Sequence, residues 1–73
     1  MNQEDVSYFQ KVAETSWELV NEIPTRFNYE GKYLTSKLRE TVDDVFQNQI
    51  LPVHAKERID ELYELLDKLT KLN

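Results

Sequence analysis

Apolar residues recur along this chain at intervals of three and four, and the pattern restarts twice. Val6, Phe9, Val12, Ala13, Leu19, Val20 and Ile23 share one side of a 3.6-residue helix, with Tyr8 and Trp17 at its two edges. Lys11, Glu14, Glu18 and Glu22 take the opposite side. Asn2 is placed to cap this helix, Glu4 and Asp5 sit near its positive end, and Pro24 stops it. The spacing predicts a helix over about 3–23.

The second run is Leu34, Leu38, Val42, Val45 and Phe46, which predicts a helix over about 31–48, with its start somewhere between Asn28 and Ser36. Its stripe is narrow, and Thr41 and Gln49 fall within it, so it is expected to be the least stable of the three. Ile50 and Leu51 are expected to plug one end of the molecule. Pro52 suits a first helical turn. Ala55, Ile59, Leu62, Tyr63, Leu65, Leu66, Leu69 and Leu72 then predict a third helix over about 53–71. Lys68 and Lys71 favour its negative end, and Glu64 with Lys68 forms an i,i+4 pair. No stretch alternates with the period of a strand. Short connections make neighbours antiparallel, so the expected fold is all-α, a small antiparallel three-helix bundle filling one domain, residues 1–73. The first and third stripes are wider than such a bundle must bury, which points either to a tight monomer or to a second surface used for self-association.

Composition narrows the picture. Seventy-three residues lie near the size at which a core only just suffices. With no cysteine, disulfides and thiolate metal sites are excluded, which fits a cytoplasmic location. No apolar run is long enough to span a membrane, and MNQEDVSYF lacks the basic and apolar segments of a signal peptide. A net charge of −5 argues against non-specific nucleic-acid binding, which works by neutralising phosphates.

Catalytic chemistry finds little material. His54 is the single histidine, three residues before Glu57, and a bundle di-metal site needs two Glu-x-x-His elements. Ser7, Ser16 and Ser36 have no base near them in sequence, and no glycine loop could cradle a phosphate. No enzyme activity, metal or cofactor is expected.

Two surfaces are candidates for contact. Glu14, Glu18 and Glu22 form an acidic ladder with Trp17 beside it, suited to a partner protein with a basic surface. Arg26, Tyr29, Lys32, Tyr33, Lys37 and Arg39 form the one basic, aromatic-rich segment, suited to phosphates and stacked bases. Each has a plainer reading. The ladder is then a solvated face. The aromatics plug the bundle, and the cations pair with its acids.

Leu19-Val20-Asn21-Glu22-Ile23 and then Phe27-Asn28-Tyr29-Glu30-Gly31-Lys32-Tyr33-Leu34-Thr35-Ser36-Lys37-Leu38-Arg39 also resemble a known family. These are the four-helix-bundle proteins encoded in 23S rRNA intervening sequences, together with the accessory proteins of retroelements. The likeness covers residues 19–48, where Val42, Val45 and Asn48 also fit. The family's glycine before Leu-Thr-Ser is absent, and the basic stretch after Arg39 is replaced by Glu-Thr-Val-Asp-Asp. The resemblance implies an oligomeric helical bundle that binds RNA or a partner enzyme. The expected function is protein–protein contact by a small non-enzymatic helical protein, as an adaptor, regulator or inhibitor. In size and composition it compares with bacterial and phage regulators. A nucleic-acid accessory and a structural homo-oligomer are the alternatives.

Overall fold

The computed structural model describes residues 1–71, so Leu72 of the third stripe lies outside the described residues. Three α-helices make an all-α bundle: α1 (Gln3–Val20), α2 (Asn28–Phe46) and α3 (Pro52–Thr70). The chain doubles back after each helix, so α2 runs antiparallel to both neighbours while α1 and α3 run parallel. α2 occupies the centre and packs against both others, whereas α1 and α3 meet mainly through side chains.

The caps explain most of the boundaries. The Asp5 amide donates to Asn2 Oδ1 at 2.8 Å, starting α1 as the sequence predicts. Such a cap is worth about 1 kcal/mol. α1 ends at Val20, three residues short of the expected end, because Pro24 has no N–H to offer the Val20 carbonyl and disfavours helical dihedrals at Ile23. The Asn21 and Glu22 amides instead tighten onto the Glu18 and Leu19 carbonyls. A single 3-10 turn, Thr25–Phe27, then runs straight into α2. Pro52 begins α3 at its first turn.

α2 starts at Asn28 rather than near Gly31, so the lone glycine lies inside the helix, buried. Its backbone is ordinary helix with no positive φ. What it supplies is space. A Cβ there would collide with Ile23 Cδ1 and sit 2.9 Å from Ile23 Cγ2. The α1–α2 connection is thus folded down onto the helix it leads into.

The turn after α2 takes its left-handed residue from asparagine. Asn48 has φ 59°, the Asn48 amide donates to Val45 O at 3.3 Å, and the Gln49 amide donates to Asp44 O at 2.8 Å. These are the two bonds of a Schellman stop.

Phe9, Val12, Leu38, Val42, Val45, Ala55, Ile59 and Leu66 form the core, all from the predicted stripes. Three hydroxyl residues are buried with them: Ser16, Thr35 and Thr41. Each satisfies itself within its own helix, donating to the carbonyls of Ala13 (2.7 Å), Gly31 (2.9 Å) and Lys37 (2.8 Å) respectively. The helix with the narrow stripe is therefore the hub, because small side chains on α2 let both neighbours approach. Ile50 packs against the core as expected, but Leu51 is 63% exposed and plugs nothing. Glu64 and Lys68 form no ion pair among the described residues. Near that end Lys71 Nζ instead meets Asp67 Oδ2 at 2.8 Å.

Candidate interaction site

The seam between α1 and α3 is closed at one end and open at the other. At the N-terminal ends, Lys56 Nζ reaches Asp5 Oδ1 at 2.7 Å and lies 5.6 Å from the Tyr8 ring centre. The Asp5 hydrogen bond, ahead of charge attraction, raises the Lys56 pKa. Burial raises that of Tyr8, helped by the nearby Asp60 carboxylate, and burial likewise raises that of Tyr63. Toward the C-terminal ends, an open groove of about 600 Å³ lies between Thr15, Leu19 and Glu22 on one side and Tyr63, Leu66, Asp67 and Thr70 on the other. Leu66 is buried and Leu19 half-buried, so the floor is apolar. Glu22 and Asp67 bring carboxylates to opposite sides.

The predicted acidic face is split by this arrangement. Glu14 and Glu18 are exposed on the outer side of α1. Glu22 lies past the helix end, in the turn that borders the groove. Trp17 sits on the side turned to α2, where the Arg39 guanidinium lies 3.7 Å from its ring centre. Arg39 Nη1 also donates to Ser16 Oγ at 3.1 Å. Trp17 is 63% exposed, yet a cation of its own chain already covers one face.

The six basic and aromatic positions likewise separate. Arg26, in the 3-10 turn, lies 5.0 Å from the Phe27 ring centre. Tyr29, Tyr33 and Lys37 follow one another at four-residue intervals along one ridge of α2. Lys37 Nζ lies 5.4 Å from the Tyr33 ring centre and 3.4 Å from Glu40 Oε2. Lys32 is exposed, and Arg39 is committed to α1. Tyr29 is 80% exposed and Tyr33 56%, so neither plugs the bundle. They border a second groove, of about 380 Å³, shared with Leu34, Leu65 and Leu69 and edged by Glu30 and Lys68.

Both grooves escaped the sequence reading, as did the burial of Ser16, Thr35 and Gly31. A glycine followed four residues on by threonine, inside a helical spacing, was the available signal for close helix packing. Among the described residues, no three His, Cys, Asp or Glu side chains gather as metal ligands. His54 Nδ1 is exposed and lies 3.8 Å from Glu57 Oε2. No helix of the described residues is long and apolar enough to cross a membrane.

No family model, curated protein or solved structure matches this chain.

Proposed function

We propose that this chain is a non-enzymatic cytoplasmic protein that acts through protein–protein contact, as an adaptor, regulator or inhibitor of a basic partner. The observation that carries the reading is the α1–α3 groove, with its apolar floor at Leu19 and Leu66 and carboxylates at Glu22 and Asp67. An amphipathic segment of the partner would lay apolar anchors on that floor and set Lys or Arg against the carboxylates. Glu18 and Glu14, further round α1, extend the negative field and steer approach. The serine hydroxyls support a non-catalytic role. Ser16 and Ser36 donate to carbonyls of their own helices, and Ser7 Oγ takes a bond from Gln3 Nε2.

The experiment is capture of partners from lysate of the source cell, with and without RNase, followed by association kinetics across a salt series. A stoichiometric protein should survive RNase, and its association rate should fall steeply as salt rises. Glu22→Lys with Asp67→Lys should weaken it at least about tenfold. Partners that vanish with RNase, or an association rate indifferent to salt, would sink the proposal.

A second reading is favoured by the exposure of Tyr29, Tyr33 and Lys32. It makes the chain an RNA-linked accessory, in keeping with the resemblance to the intervening-sequence proteins. Changing Arg26, Lys32, Lys37 and Arg39 to glutamine should then abolish RNA binding. Wild-type protein that ignores RNA at low salt would end that reading.

A further inference from the structure

The apolar groove between α2 and α3 lies on a different flank from the α1–α3 groove, and its chemistry is self-matching. The antiparallel pair turns at Gln47–Leu51, so residues equidistant from Gln49 stand level with one another. Glu30 on α2 is level with Lys68 on α3, and both edge the groove. One turn along, Tyr33 is level with Leu65, two exposed apolar side chains. One further turn along, Lys37 is level with Glu61, and beyond them Glu40 with Arg58. Each charge on one rim thus faces its opposite at the same height on the other rim. The spacing alternates three and four, which keeps all these positions on one flank of each helix.

The chain does not use these matches within itself. Among the described residues, Glu30, Glu61, Arg58 and Lys68 form no ion pair. Lys37 and Glu40 pair only with each other, at 3.4 Å on an exposed surface.

We propose that this flank binds a second copy of the chain, related by a two-fold axis running parallel to the helices. That operation lays α2 of one copy against α3 of the other, antiparallel and at the same height. Tyr33 then meets the partner's Leu65, Glu30 meets the partner's Lys68, and Lys37 meets the partner's Glu61. Every contact occurs twice, as an isologous interface requires. The result is a four-helix layer in which each helix is antiparallel to its neighbours, covering Tyr29, Tyr33 and Leu65. The flank does not overlap the Glu22–Asp67 groove, so the dimer stands or falls independently of the function proposed above.

Sedimentation equilibrium at about 0.15 M salt tests it. Wild-type protein should pass from 8.7 kDa to twice that mass as concentration rises. Glu30→Lys with Lys37→Glu reverses the α2 rim. Glu61→Lys with Lys68→Glu reverses the α3 rim. Each variant alone should dimerise at least about tenfold more weakly, with helicity unchanged by circular dichroism. Mixed in equal amounts, the two should recover a heterodimer, because every reversed rim then meets its complement. A charge match acting within one chain gives no such rescue on mixing. A wild-type mass fixed at the monomer value up to millimolar concentration overturns the proposal. So does a dimer that neither variant weakens.

Discussion

The two flanks of α2 carry similar residues and treat them differently. On the α1 side an exposed tryptophan is covered by Arg39, which also bonds Ser16 across the helix pair. On the α3 side two tyrosines and a leucine stand exposed beside charges that have no mate across the groove. An exposed aromatic is therefore a weak sign of a docking surface by itself. What separates the flanks is where the neighbouring cation is anchored: Arg39 ties Trp17 to Ser16 across two helices, whereas Lys37, beside Tyr33, pairs only with Glu40 of its own helix.

The sealed flank is most vulnerable where the α1–α2 connection rests on α2. Gly31→Ala improves helix propensity by about 1 kcal/mol, but its Cβ meets Ile23 with no room to spare. Overpacking of this kind costs about 1–3 kcal/mol, so the net effect should be destabilising. Urea denaturation measures it, and Ile23→Ala added to Gly31→Ala should recover part of the loss. Equal stability of Gly31→Ala and wild type would mean that this contact is loose.

Unsealing is comparable in size. Arg39→Ala removes the cation over Trp17 and the bond to Ser16, and should cost about 1–2 kcal/mol. Trp17 fluorescence should shift toward the red as water reaches both faces of the indole. By contrast, Tyr33→Ala on the open flank should move the unfolding of dilute monomer by less than about 0.5 kcal/mol. If the two substitutions cost the same, the distinction between flanks disappears.

The α1–α3 seam adds a pH test. Lys56, Tyr8 and Tyr63 all have folded pKa values above their ordinary ones. A raised pKa means the folded state holds its proton more tightly. The stability this supplies is intact below the unfolded values, around pH 10, and is lost as pH rises through the folded ones. Denaturation midpoints should therefore fall above about pH 10, and Lys56→Met should flatten that fall. A small effect of the opposite sign belongs to the turn. Asn48→Gly relieves a left-handed asparagine and should stabilise by about 0.5 kcal/mol, read as a small rise in midpoint.

The helices and every core residue were legible in the sequence, because apolar periodicity reports burial directly. Phe9, Leu38 and Ile59 could hardly be placed elsewhere. The start of α2 was legible only as a range, Asn28 to Ser36, and it falls at the early edge. Glycine reads as a breaker from its flexibility, while Gly31 is needed for its missing side chain, and only the position of Ile23 reveals that. Thr35 and Ser16 read as polar, but each hides its hydroxyl on its own helix backbone. The acidic ladder was legible as a ladder. That Glu22 would leave it for the groove depended on where Pro24 ended the helix. The resemblance residues Thr35, Leu38 and Arg39 turn out to be occupied with packing α2 against its neighbours.

The central place of α2 also sets how this molecule can assemble itself. Its close backbone contacts join helices adjacent in the chain, so folding amounts to closing two short hairpins onto a shared middle strut. Little loop entropy has to be spent before contact begins. Chains with such local contacts fold on a microsecond-to-millisecond scale. The Asp5–Lys56 pair that seals α1 beside α3 joins residues 51 apart, more than twice the separation that Arg39 and Ser16 bridge between α1 and α2.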